Sequence, residues 1–198
     1  MDIEVSKFEK EMSEFVGCKY SVFVSSGSTA NTIIAAYTKD KLNIKKIIFP
    51  STTWTTSISP FVREGIKPVF VDINLKDFSL DLDKVEEALS KDSEIKAIFI
   101  TSLLGFVPDI ERLKKIQSTY NVHILMDNCE NTLGKYKGKN ISSFFTSSTS
   151  TYFGHQVQSV EGGFVFTNNQ DEYEYFLMAR NHGMVRAISG DNKKKYLN

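Results

Sequence analysis

Short runs rich in Val, Ile and Phe alternate with helical stretches along this chain, and that rhythm constrains its fold more than any other feature. Tyr20-Ser21-Val22-Phe23-Val24 reads as a strand, and an apolar helix from Ala30 to about Tyr37 follows it. Further strands are expected at Lys46–Phe49, Pro68–Val71, Ala97–Ile100, Val122–Met126 and Gly163–Thr167. Helices are expected at Thr55–Arg63, Asp83–Leu89, Asp109–Tyr120 and Gln170–Arg180, preceded by one over Ile3–Phe15 that Gly17 stops. Asp81 or Asp83 can cap the helix near 83–89, and Pro108-Asp109 opens the next one. Strands this continuously apolar are buried on both faces. The expected class is therefore α/β, a mostly parallel sheet covered by helices on both sides.

The chain has 198 residues, with 24 Lys+Arg against 24 Asp+Glu. That length suits one domain with a real core, and the neutral balance offers no electrostatic footprint for nucleic acid or an anionic membrane. Lys193-Lys194-Lys195 reads as a solvated tail. Cys18 and Cys129 cannot build a disulfide framework, which points to a reducing compartment. The start, Met1-Asp2-Ile3-Glu4, lacks the basic and apolar regions of a signal peptide. The apolar stretch Ala97–Val107 is shorter than the roughly 18 residues a membrane span requires. A soluble, cytoplasmic protein is expected.

After Met126 the rhythm changes. Residues 128–159 are rich in Ser, Thr, Asn, Gly and Lys, and long polar segments inside compact domains tend to carry sites. Several residues invite a chemical reading. Ser26-Gly27-Ser28-Thr29 lies at a strand-to-helix junction, where free N–H groups favour an anion, although an ordinary Ser/Thr cap would look the same. Asp127 ends a strand and so points into the crevice where parallel sheets bind ligands; it could hold a cationic ring nitrogen or a metal, or merely cap a loop. Trp54, the only tryptophan, follows a strand and Pro50 and can stack on a planar ring or pack in a core. His155 lies in a polar loop, and His123 reads as a packed or edge histidine. His123, His155, His182 and the cysteines lack zinc-ligand spacing, and there is no G-x-S-x-G, G-x-G-x-x-G or P-loop.

Taken in order, Phe8–Gly17, Ser26-Gly27-Ser28, Pro50-Ser51-Thr52-Thr53-Trp54 and Pro68-Val69-Phe70-Val71-Asp72 resemble the DegT/DnrJ/EryC1/StrS sugar aminotransferases. So do Asp127-Asn128-Cys129-Glu130, Gly134-Lys135-Tyr136-Lys137-Gly138, Glu161-Gly162-Gly163 and Arg180-Asn181-His182-Gly183, and the match runs along almost the whole chain. The resemblance implies the three-layer large domain of fold-type I pyridoxal phosphate enzymes over residues 1–198, with the smaller C-terminal domain missing. It implies that Gly27, Ser28, Thr29 and Ser150 hold the cofactor phosphate and that Trp54 stacks on the pyridine ring. It further implies that Asp127 pairs with the ring nitrogen and that Glu130 stands where the family commonly has Gln beside the ring hydroxyl.

One departure matters most. The family's aminotransferases carry a lysine where this chain has His155, and imidazole cannot form the covalent imine that anchors the cofactor. Lys135, Lys137 and Lys139 do not occupy the aligned place. A Lys-to-His exchange is the hallmark of the 3-dehydratase branch, and the absence of cysteine from Arg180 to Asn198 resembles its cluster-free type. The resemblance therefore implies noncovalent pyridoxal 5′-phosphate, loaded by L-glutamate to pyridoxamine 5′-phosphate. His155 would take a proton from the cofactor C4′ carbon, and the C3 hydroxyl of a nucleotide-linked 4-keto-6-deoxy sugar would be lost. It implies a homodimer, with neither nucleic acid nor membrane as partner. Two alternatives stay open: an aminotransferase whose lysine comes from elsewhere, and a non-catalytic fragment or regulatory relative.

Overall fold

The computed structural model describes residues 3–188 and 190–196. The acidic start at Met1-Asp2 lies outside the described residues. In chain order the elements are α1 (Ile3–Val16), β1 (Tyr20–Val24), α2 (Gly27–Asp40), β2 (Lys46–Pro50), α3 (Thr55–Arg63) and β3 (Lys67–Val71). There follow α4 (Leu82–Lys91), β4 (Ile95–Thr101), α5 (Ile110–Tyr120), β5 (His123–Asp127) and a small hairpin of β6 (Lys135–Tyr136) and β7 (Lys139–Asn140). The last are β8 (Thr146–Ser150), β9 (Gly163–Thr167) and α6 (Gln170–Arg180).

The main sheet is ordered β1-β9-β8-β5-β4-β2-β3. β3, β2, β4, β5 and β8 pair in parallel, while β9 runs antiparallel to both β8 and β1. Alternate side chains face opposite helix layers, as the period of a strand requires. Ile47, Phe49, Phe99 and Leu125 pack with Ile34 of α2, Phe61 of α3 and Phe176 of α6. Ile48, Ile98, Ile100, Ile124 and Met126 pack with Val85 of α4 and Leu113 and Ile116 of α5. On that second side, α1 covers the outer strands, with Met12 and Val16 against Phe164 and Phe166. Each such side chain, fully buried, contributes about 1.5–3 kcal/mol of transfer free energy. The three-layer α/β architecture expected from the alternation is the one observed.

The caps resolve as chemistry predicts. Asp81, not Asp83, caps α4, accepting from the N–H groups of Asp83 and Lys84, and Asp109 caps α5 by accepting from Arg112 N. Helix α2 begins at Gly27, three residues before the expected Ala30, because Ser26 Oγ accepts from Thr29 N at 3.0 Å.

The polar segment held a strand that its composition hides. β8 reads Thr-Ser-Ser-Thr-Ser and is central, yet Ser147, Ser148 and Thr149 are fully buried. Apolar periodicity cannot reveal a strand whose inward groups are hydroxyls. Ser147 Oγ donates to Ser142 O at 3.3 Å and Ser148 Oγ to Asn31 Oδ1 at 2.6 Å. The lysine cluster also departs from a free tail. Residues Gly190–Tyr196 form a short 3-10 segment in which Lys195 pairs with Asp171 at 2.5 Å and the Tyr196 hydroxyl donates to Glu174 at 2.9 Å.

Candidate active site

The carboxyl ends of β1, β2, β4, β5 and β8 open on one edge of the sheet, and a cavity of about 590 Å³ lies there. Its wall is drawn from separate turns: Ser26, Gly27 and Ser28 after β1, Trp54 after β2, Thr101 ending β4, Asp127 and Glu130 at β5, and Ser150 and His155 at β8. This is the crevice in which open α/β sheets bind ligands. A larger groove of about 860 Å³ lies elsewhere, by the end of α1 and the β6–β7 hairpin. Its polar groups, Lys114, Lys135 and Lys139 among them, surround no buried carboxylate, so the chemistry belongs to the smaller cavity.

Asp127 is the most constrained group in it, only 5% exposed. Its Oδ2 accepts from Asn31 Nδ2 at 2.8 Å and from Ser57 Oγ at 2.7 Å, and its Oδ1 accepts from Cys129 N at 3.0 Å. These donors compensate the desolvation of a buried carboxylate. Burial, reinforced by the Asp127 charge, pushes the Cys129 thiol well above its ordinary value and keeps it neutral.

Gly27 sits at the first turn of α2, where backbone N–H groups are unpaired. A Cβ there would lie 2.6 Å from Cys129 Sγ and 3.0 Å from Ser150 Cβ, so only glycine lets the helix start come this close to β5 and β8. Ser28 and Ser150 flank it in the wall. Thr29 stands behind the wall, outside the residues that line the cavity. Its hydroxyl lies 2.9 Å from Ser25 Oγ and 3.0 Å from Ser26 Oγ, and its N–H is spent on Ser26.

Trp54 is at the N-cap of α3 and 69% exposed, on the rim and not in the core. Glu130 lines the cavity while its Oε2 accepts from Leu104 N at 2.8 Å, tying the turn after β4 to the end of β5. His155 lines the same cavity as Asp127. Its loop is pinned at the base by Thr151 N to Gly162 O at 2.9 Å and Ser159 N to Thr151 O at 2.8 Å. A turn bond from His155 N to Tyr152 O, 2.9 Å long, brings the imidazole to 5.7 Å from the Tyr152 ring. His123 is exposed at the opposite end of β5, and His182 follows α6, so neither joins the site.

Of the residues named from sequence, the cavity wall holds Gly27, Ser28, Trp54, Asp127, Glu130, Ser150 and His155, while Asn31, Ser57, Tyr152 and Glu161 carried no assigned role. Asn31 carried a usable signal, an amide in mid-helix among Ala30, Ile33 and Ile34, where a side chain facing the core would ordinarily be apolar.

An open sheet bearing a glycine-bounded helix start opposite a buried carboxylate, beneath an exposed indole, defines the large-domain fold of fold-type I pyridoxal phosphate enzymes. The chain belongs to the DegT/DnrJ/EryC1/StrS aminotransferase family, whose model matches residues 3–197. It is 37% identical over 195 residues to GDP-4-keto-6-deoxy-D-mannose 3-dehydratase of Yersinia pseudotuberculosis, covering 95% of this chain and 49% of that protein. Its fold superposes with a TM-score of 0.91 on the E. coli GDP-4-keto-6-deoxy-D-mannose-3-dehydratase with bound hydrated PLP, at 31% identity over 98% of this chain and 51% of the other. The same score and coverages hold, at 30% identity, for a GDP-4-keto-6-deoxymannose-3-dehydratase with a trapped PLP-glutamate geminal diamine. The chain spans about half the length of the curated relatives it matches. No helix among the described residues is long and apolar enough to cross a membrane.

Proposed function

We propose that this chain is the cofactor-binding large domain of a cytoplasmic 3-dehydratase that uses pyridoxal and pyridoxamine 5′-phosphate. Its substrate is a GDP-linked 4-keto-6-deoxyhexose, and L-glutamate is the amine donor. One observation carries the reading: His155, not a lysine, shares the cavity with Asp127 and Trp54. Lys135, Lys137 and Lys139 belong to the β6–β7 hairpin, and the wall of the cavity is built from other residues.

The residues present fit the cofactor. It is anionic at the phosphate and cationic at the ring nitrogen, and the cavity offers unpaired N–H groups at the start of α2 and a buried carboxylate at the end of β5. Gly27, Ser28 and Ser150 would hold the phosphate, and Thr29 would support the same turn through Ser26. Trp54 would cover the ring, Asp127 would keep its nitrogen protonated, and Glu130 would stand beside the ring hydroxyl. When bound, pyridoxamine phosphate supplies an amino group for the C4 ketone and a ring that accepts the electron pair released on deprotonation.

The chain's own groups then divide the work. His155, whose side chain lines the cavity with Asp127, would serve as the base at the cofactor C4′ carbon, and the proton it takes could pass to the C3 hydroxyl, which would leave as water. Being no primary amine, it leaves the cofactor free to exchange with glutamate. The apolar rim at Trp54, Leu104, Phe153 and Val160, each more than half exposed, is covered by a second copy in a homodimer.

The test is ammonia release from purified protein given pyridoxamine phosphate and GDP-4-keto-6-deoxymannose. Release that depends on both additions supports the reading. Conversion of the sugar to an amino sugar without ammonia overturns it in favour of amino transfer.

A further inference from the structure

We infer that Asn31, backed by Ser148, is a positioning residue that holds Asp127 as an acceptor-only carboxylate and so sets how strongly the site selects a protonated ring nitrogen. The inference rests on the cofactor reading above and deepens it.

An ionised carboxylate has no hydrogen to give, so the Asn31 amide must turn its Nδ2 toward Asp127, where it stands 2.8 Å from Oδ2. That orientation leaves Asn31 Oδ1 facing β8, and there Ser148 Oγ donates to it at 2.6 Å. The second amide hydrogen goes to Thr56 O at 3.4 Å. Asn31 is 1% exposed and Ser148 fully buried, so water does not substitute for any of these partners. One amide therefore joins α2, α3, β5 and β8, with both of its N–H groups and its oxygen engaged.

A purely structural side chain at this place would be cheaper as leucine, since asparagine is a poor residue for a helix interior and its desolvation is costly. What asparagine adds is directional. With Ser57 also donating to Oδ2 at 2.7 Å, a proton on that oxygen would have to displace one of two buried donors. Cys129 N, 3.0 Å away, makes the same demand at Oδ1. A proton shared between Asp127 and a heterocycle thus stays on the heterocycle. Ser148 acts one step further back, because its hydroxyl satisfies the Oδ1 of the amide whose Nδ2 the carboxylate holds.

The experiment compares dissociation constants of the purified protein for pyridoxamine phosphate and for the analogue in which the ring nitrogen is replaced by C–H. Wild type is expected to prefer the nitrogen-containing ligand. Asn31→Leu and Ser148→Ala are expected to cut that preference about tenfold or more, the size of one charge-assisted hydrogen bond, while leaving affinity for the analogue unchanged. If both ligands weaken by the same factor, the pair is only a structural staple and the inference is overturned. Should Asn31→Leu fail to fold by circular dichroism, Ser148→Ala decides alone, since it removes one hydroxyl. Wild type that binds both ligands equally overturns the Asp127 pairing, and wild type that binds neither overturns the cofactor reading itself.

Discussion

The imidazole of His155 meets the ring of Tyr152 edge to face, 5.7 Å between centroids and 69° between planes. Gly154 makes the contact possible: a Cβ on it would come within 2.9 Å of Tyr152 Cε1. The tyrosine thus limits where the imidazole can lie over the cavity. His155→Asn is expected to lower ammonia release by about 100-fold or more, the usual worth of a general base, with pyridoxal phosphate still bound. Stopped assays of ammonia beside a spectral titration of the cofactor check both halves. Undiminished release from the variant would remove His155 from the chemistry.

His155→Lys puts a primary amine in the same slot. The expected result is a covalent cofactor linkage that borohydride traps and mass spectrometry locates on residue 155. A cofactor that dialyses away freely from this variant would show that the side chain does not reach it.

Gly27 bears on the phosphate end. In Gly27→Ala the new methyl meets Cys129 Sγ at 2.6 Å and Ser150 Cβ at 3.0 Å. Overpacking of this kind costs about 1–3 kcal/mol, and here it also pushes the helix start away from the phosphate. Weaker pyridoxal phosphate binding is expected, partly restored in Gly27→Ala/Cys129→Ala because the nearer clash is removed. Fluorescence titration of the two variants against wild type measures this.

Glu9 and Arg180 clasp α1 to α6 across the edge strand β1. Arg180 pairs with Glu9 and also donates to Phe23 O at 2.9 Å, while Glu9 accepts from Phe23 N at 2.8 Å. Removing Glu9 takes away a carboxylate partner of Arg180 and the acceptor of Phe23 N. Glu9→Ala is therefore expected to cost about 3–5 kcal/mol in chemical denaturation. Glu9→Gln, which keeps an acceptor for Phe23 N, is expected to cost less.

Burial raises the Cys18 thiol from 9.0 to about 12, and the thiol donates to Ser142 O at 3.2 Å. An unfolded cysteine ionises near pH 9 while the folded one stays neutral. Its contribution to stability is therefore complete below pH 9 and is lost as pH rises toward 12. Unfolding free energy is expected to fall more steeply between pH 8 and about 10.5 in wild type than in Cys18→Ala. Parallel slopes would contradict the burial argument.

Much of the fold was legible because its signals are local. The Val-, Ile- and Phe-rich strands and the acids before α4 and α5 act through near neighbours, so periodicity and capping rules find them. β8 was hidden for the opposite reason. Two of its serines, Ser147 and Ser148, find partners for their buried hydroxyls in the 141–143 turn and in α2, the latter distant in the chain. In the site, Asp127 and Trp54 could be placed at strand ends from sequence. For Thr29 the sequence leaves open whether the hydroxyl turns to the cavity or to Ser25 and Ser26, because that depends on the first turn of a helix that begins at Gly27 and not at Ala30.

By itself, the order of residues determined the layer architecture, the family and the imidazole at position 155, because each is written in side-chain chemistry that neighbours in the chain can express. Only the tertiary structure decided which groups meet: Asn31 and Asp127 lie 96 positions apart, and Asn31 and Ser148 lie 117 apart. Such meetings depend on sheet order and register, which arise from the packing of the whole core and are carried by no single segment.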